Sequence, residues 1–246
     1  MLPLYASSAP PRSFHFARCL PTYRGYSSSL TRGLSNAYDF LAELARQQAV
    51  DTGLLPTNCR LMSRVFDKQN RTRTIYVIEM PPGLKTIQFS PVRHSAEVHE
   101  LKLSWPRTLW FVRCIFTPGQ NAAIVEDIWP ASIAQSLDAF TLDTPLCQLL
   151  MPNIYDTGSG AVCLGNLSVA DSQPIHQRID KILTEILSSL WNTDLMPPFQ
   201  DTGIDNMEDW AAGSATKPDF YTQIRFPRHA YETLGGMLHH LTEAKA

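Results

Sequence analysis

The segment Pro152-Asn153-Ile154-Tyr155-Asp156-Thr157-Gly158-Ser159-Gly160-Ala161-Val162-Cys163-Leu164-Gly165-Asn166 brings a thiol, a carboxamide, a carboxyl group and three glycines together within fifteen residues. Cys163 is the candidate nucleophile. A thiol of ordinary pKa, about 8.5, is already a few per cent thiolate at neutral pH, so it can accept an acyl group with no strong base beside it. Asn153, ten positions upstream, offers a carboxamide, and one such donor at an oxyanion is worth about 3 kcal/mol. Each residue also has a plainer reading. An intracellular cysteine commonly packs as a small hydrophobe, and an asparagine commonly braces its own turn. Tyr155 and Asp156 fit loop packing and turn formation, although Asp156 is close enough in sequence to influence a thiolate or an incoming lysine.

The other candidates are weaker. Cys19, Cys59, Cys114, Cys147 and Cys163 are odd in number and widely spaced, with no CxxC, which argues against a disulfide framework or structural zinc. His176 follows Cys163 by thirteen residues and would complete a Cys-His hydrolase dyad, but no acid to orient it can be identified. His94, His99, His239 and His240 lack metal-ligand spacing, and the acidic run at Asp201, Asp205, Glu208 and Asp209 lacks the alternation of a calcium loop. No metal and no cofactor is expected.

Around these residues the chain reads as an α+β protein. With 246 residues and 44% hydrophobic side chains it can build a substantial core, and residues 34–246 are expected to form one domain behind an arm over residues 1–33. Helical spacing of Leu34, Ala37, Tyr38, Leu41 and Leu44 predicts a helix over 34–50. Strands are expected over 59–66, 73–80, 85–89, 109–116 and 124–128. The nearly unbroken apolar run 109–116 should be central and buried on both faces. Residues 129–152 read as an irregular connection. Ile175, Ile179, Ile182, Leu183, Ile186 and Leu187 form the broadest helical stripe, with Pro174 at its start and Pro197-Pro198 beyond its end. An acidic loop and a last helix over 229–244, interrupted at Gly235-Gly236, complete the chain. This order predicts an antiparallel meander with helices packed on one side. A net charge of −2 with scattered Lys and Arg disfavours nucleic acid as a partner. No apolar run long enough for a membrane span and no basic leader is present, so a cytoplasmic location is expected.

Pro152-Asn153-Ile154 followed by a glycine-containing turn and Cys163-Leu164-Gly165-Asn166 resembles the active-site segment of ubiquitin-conjugating (E2) enzymes. Together with Leu54-Leu55-Pro56-Thr57-Asn58, Trp105-Pro106, Leu109-Trp110-Phe111, Thr144-Pro145-Leu146 and Leu187-Ser188-Ser189-Leu190, it is similar to the prokaryotic E2 family D typified by PRTRC system protein B. The likeness spans residues 54–210. It implies an E2-like fold and an acyl carrier in a prokaryotic conjugation pathway. Its partners would be a ThiF-family E1-like adenylating protein and a small ubiquitin-like protein. Cys163 would then be the thioester acceptor and Asn153 the oxyanion donor or loop brace. Pro152 would set the turn, and Tyr155, Asp156, Leu164, Gly165 and Asn166 would complete the supporting loop. Met151 stands where the E2 triplet has histidine, and Gly165 where many E2 enzymes have an acidic residue, so the resemblance implies thioester formation more directly than transfer to lysine. The same fold would also serve a catalytically inactive adaptor of the E2 or RWD type that binds an E1-like or ubiquitin-like partner. The Cys163–His176 hydrolase is the third possibility.

Overall fold

The computed structural model describes residues 55–66, 71–92, 97–117, 123–133, 140–154, 160–164, 173–195 and 199–243. The expected arm over 1–33 and helix over 34–50 lie outside the described residues. Strands β1 (Cys59–Phe66), β2 (Thr72–Met80), β5 (Arg107–Phe116), β6 (Ile124–Ile133), β7 (Pro145–Gln148) and β9 (Arg228–Thr233) form an antiparallel sheet in the order β1-β2-β5-β6-β7-β9. A second sheet holds β3 (Gly83–Ser90), β4 (His99–Trp105) and β8 (Leu190–Asn192), in the order β4-β3-β8 with β3 and β8 parallel. The described helices are α1 (Ile175–Ser188), α2 (Met207–Thr216) and α3 (Leu234–Thr242), with a short 3-10 turn at Phe220–Gln223. The protein is α+β.

The meander expected from the strand runs is interrupted, and prolines interrupt it. The β2–β5 ladder ends at Met80 opposite Thr108, just before Pro81, and Pro106 separates β4 from β5. Proline has no N–H to donate to a ladder, so each marks the point where the chain leaves one sheet for the other. The β3–β4 hairpin is thereby excised from the main sheet, and β2 pairs with β5. As the apolar run predicted, β5 is internal, with Leu109, Trp110, Phe111, Val112 and Cys114 fully buried.

Alternation along the central strands sends side chains to two cores. Tyr76, Ile78, Trp110, Val112 and Cys114 pack with α1, α2 and the inner side of the second sheet. Ile75, Val77, Leu109, Phe111 and Ala131 pack with Leu234, Met237, Leu238 and Leu241 of α3. Helices therefore cover both faces of the main sheet, which corrects the one-sided arrangement. The central strands are apolar at successive positions and leave neither face fit for water. Each large aliphatic side chain so buried contributes about 1.5–3 kcal/mol.

Three further elements depart from the sequence reading. The region 129–152 is not irregular throughout, because β6 continues to Ile133 and β7 follows. The acidic run enters α2, whose Asn206 side chain accepts the Asp209 N–H at 2.8 Å and whose first turn carries Glu208 and Asp209, where the helix dipole favours them. Residues 228–233 are a strand, and α3 begins only at Leu234, with the Thr233 hydroxyl accepting the Gly236 N–H at 3.1 Å. Among the described residues no helix is long and apolar enough to cross a membrane.

Candidate active site at the Asn153–Cys163 neck

The residues flanking 155–159 are drawn together by the edge of β6. Val162 donates its N–H to the Ile128 carbonyl at 2.8 Å, and Ile154 and Val162 form an isolated antiparallel bridge. One step further along, the Cys163 N–H donates to the Asn153 carbonyl at 2.7 Å. Two residues ten apart in sequence thus become neighbours through one main-chain hydrogen bond. The neck is anchored from both sides, since Ile154 and Val162 belong to the core under α1 and Ala161 to the core under α3. Met151 and Pro152 are buried, while Asn153, Cys163 and Leu164 are half-buried. Asn153 holds φ at +63°, a left-handed conformation that asparagine tolerates better than most side chains. Tyr155, Asp156, Gly165 and Asn166 lie outside the described residues.

Gly160 also takes φ +63°, and a Cβ added there would sit 3.7 Å from His229 Nε2, an ordinary contact. The position requires glycine for its backbone conformation and not for space. Gly160→Ala is therefore expected to cost about 1–2 kcal/mol in urea unfolding, the penalty of left-handed backbone for an L-residue.

Two of the other cysteines, Cys59 and Cys114, are poorer nucleophiles. Cys114 is fully buried, and burial pushes its thiol far above the ordinary range. Burial likewise pushes Cys59 up to about 11, against the lowering effect of main-chain hydrogen bonds. A thiol so shifted is almost wholly protonated at neutral pH. Cys147 is half-buried on β7. His176, the alternative base, opens α1 with its Nδ1 buried and without a hydrogen-bond partner, so that nitrogen does not engage Cys163. Among the described residues no group of three or more His, Cys, Asp and Glu side chains could hold a metal ion.

The structure adds one side chain that the sequence reading assigned to a helix. His229, on β9, is 5% exposed, and its Nδ1 accepts the Tyr231 N–H at 3.2 Å. A neutral imidazole that accepts at Nδ1 carries its proton on Nε2, the atom facing Gly160. Burial, and then the charge of His240, hold the His229 pKa below its ordinary value. Between that lowered value and about 6.5 the unfolded chain binds a proton that the folded chain refuses. The stability contributed is complete above this window and is lost as the pH falls through it. Thermal melts at pH 7.5 and 5.0 should show a fall in melting temperature that is smaller in His229→Gln. The cue for His229 was the alternation of buried His229 and half-buried Tyr231 and Thr233 with exposed Arg228, Ala230 and Glu232, a strand period.

Comparison of the chain with protein-family models, with curated proteins and with solved structures gave no match.

Proposed function

We propose that the protein is an E2-like acyl carrier acting in the cytoplasm, with Cys163 as the thioester acceptor. The Cys163 thiolate attacks the C-terminal carbonyl of a small ubiquitin-like protein held as a thioester on a ThiF-family E1-like protein. The new carbon–sulfur bond forms as the E1 thiolate leaves. An amine then attacks the Cys163 thioester, and the Cys163 thiolate departs. The observation that supports this reading is the Cys163 N–H to Asn153 carbonyl bond, which makes main-chain neighbours of a half-buried cysteine and the asparagine of the segment's Pro-Asn-Ile triplet. The raised thiols of Cys59 and Cys114 support the choice among cysteines.

The test is incubation of the full chain with an E1-like protein, its ubiquitin-like protein and ATP, followed by non-reducing gels. A thiol-sensitive adduct at Cys163 is expected. A chain that binds both partners and forms no adduct would be the adaptor instead. Turnover of a peptide or ester substrate without either partner would point to the hydrolase.

A further inference from the structure

We propose that the open edge of β1 receives an extended, acidic segment of a partner protein, which adds to the main sheet as a further strand beside residues 61–66. The inference does not depend on the acyl-carrier reading, since β1 has no part in the Asn153–Cys163 neck. Four strands end a sheet, β1 and β9 in the main sheet and β4 and β8 in the second. A long edge with unpaired main-chain groups is a template for another strand, and proteins blunt such edges by shortness, bulges, charge or a covering helix. Strand β8 has only three residues. Strand β9 meets β7 in an interrupted register and presents charges of both signs, Arg228 and Glu232. Strand β4 is tied to α2, whose Ser214 hydroxyl accepts the Ser104 N–H at 2.7 Å and whose Trp210 indole donates to the Ser104 carbonyl at 3.1 Å. Strand β1 differs from all three. It is eight residues long, its one bulge lies at its start between Cys59 and Leu61, and residues 61–66 run in unbroken register with β2. Among the described residues no strand lies on its other side.

Charge selects the occupant. The described residues between 59 and 73 carry Arg60, Arg64, Arg71 and Arg73 and no carboxylate, and Asp67 and Lys68 between them cancel, in a chain whose net charge is −2. Arg60 is bonded to Glu79 at 2.5 Å, but Arg107 shares that carboxylate at 3.0 Å, so the excess of positive charge stands. A second copy pairing through β1 would bring arginines toward arginines with no carboxylate on either strand, which is destabilising. A strand that bears carboxylates is favoured instead, and like-charged strands are excluded. The side chains set its pattern. Met62 packs toward the core under α1 and Leu61 toward the core under α3, so alternation puts Arg64 and Phe66 on the face of Met62, and Ser63 and Val65 on the face of Leu61. The fitting segment therefore alternates, with carboxylates beside Arg64 on one face and apolar side chains beside Leu61 and Val65 on the other.

The test uses the full chain and two acetylated, amidated peptides, Thr-Val-Glu-Val-Glu-Val-Thr and Thr-Val-Lys-Val-Lys-Val-Thr, with amide hydrogen exchange read residue by residue by NMR. In the free chain the amides of residues 61–66 that turn away from β2 should exchange freely while those bonded to β2 are protected. The glutamate peptide should slow the outward amides at least about tenfold and the lysine peptide should not, and sodium chloride at about 0.5 M should remove most of the effect. Arg64→Glu should reverse the preference, so that the lysine peptide protects and the glutamate peptide does not. Outward amides already protected in the free monomer would overturn the proposal, because the chain itself would then cover the edge. Protection that grows with protein concentration alongside a dimer in sedimentation would overturn it in favour of a second copy. Equal protection by the two peptides, or none from the glutamate peptide at millimolar concentration, would also overturn it, and these comparisons are made on the native chain and need no variant to fold.

Discussion

A Cys163→Ser chain is expected to form no thiol-sensitive adduct, and to load as an oxyester, if at all, at least about a thousandfold more slowly than the native chain. The reason lies in ionisation. A thiol needs no partner to be a few per cent ionised at neutral pH, whereas a hydroxyl requires a base to remove its proton. Neither His176 Nδ1 nor His229 Nδ1 is placed to act as that base. His176 does not engage Cys163 through its buried Nδ1, and His229 spends its own Nδ1 on the Tyr231 N–H. Non-reducing gels with and without dithiothreitol read the result, and a Ser variant that loads at the native rate would remove Cys163 from the chemistry. Asn153→Gly is the companion variant. Glycine adopts φ +63° freely and keeps the carbonyl that accepts the Cys163 N–H, so the neck and the loading step persist. Discharge to an amine should then slow about 10²–10³-fold if the carboxamide stabilises the oxyanion, and remain unchanged if Asn153 only braces the loop.

What the sequence revealed and what it concealed follow from the range of the interactions involved. Residues 109–116 announce a central strand because both faces of β5 are apolar, and α1 announces itself through a stripe of isoleucines with Pro174 before it, in the N-cap position and without a side-chain capping bond. These are local patterns read off consecutive side chains. Helix α2 was concealed because it buries only Met207, Trp210 and Ser214, too narrow a stripe to show a period. Its start was marked nonetheless by Asn206 three residues before Asp209, a capping arrangement. Gly235-Gly236 read as an interruption within a helix, but the pair lies in the first turn of α3, where a Cβ on Gly236 would come within 2.3 Å of the Tyr231 carbonyl. Glycine is there so that the strand can turn into the helix.

At the candidate site, local signals supplied the residue types and tertiary structure supplied their meeting. Nothing in the spacing of Asn153 and Cys163 states that they are hydrogen-bonded, because the bond depends on the edge of β6 offering the Ile128 carbonyl to Val162. His229 is more remote still. Its burial beside the left-handed Gly160 turn accompanies the pairing of β9 with β7 at the sheet edge, with Cys147 opposite Arg228, an association between residues about eighty apart in the chain.

Trp210→Ala should destabilise the protein by about 3–5 kcal/mol, the range for removing a fully buried tryptophan from a packed core. The side chain ties α2 to β4 and to the segment that precedes β9. Its ring stacks on Trp105 with centroids 6.1 Å apart and planes 10° from parallel, and meets Phe226 edge-on at 6.0 Å. Its Nε1–H donates to the Ser104 carbonyl at 3.1 Å, and its own carbonyl accepts the Ser214 hydroxyl. That hydroxyl in turn accepts the Ser104 N–H at 2.7 Å, closing a small polar ring inside an apolar core. Truncation removes the aromatic contacts and leaves the Ser104 carbonyl without its indole donor, and the two losses add because the cavity is walled by other rings that cannot collapse into it. Trp210→Phe separates them. It retains most of the stacking area and loses only the donor, so it should cost about 1–3 kcal/mol. Urea unfolding followed by tryptophan fluorescence reads both values. Equal costs for the two variants would assign the stability of α2 to the hydrogen bond and not to the aromatic packing. The Cys163 neck lies beyond this cluster but on the same core through Ile154 and Val162. Alkylation of Cys163 in Trp210→Ala, followed under conditions where the chain remains folded, should therefore show whether loosening that core reaches the thiol.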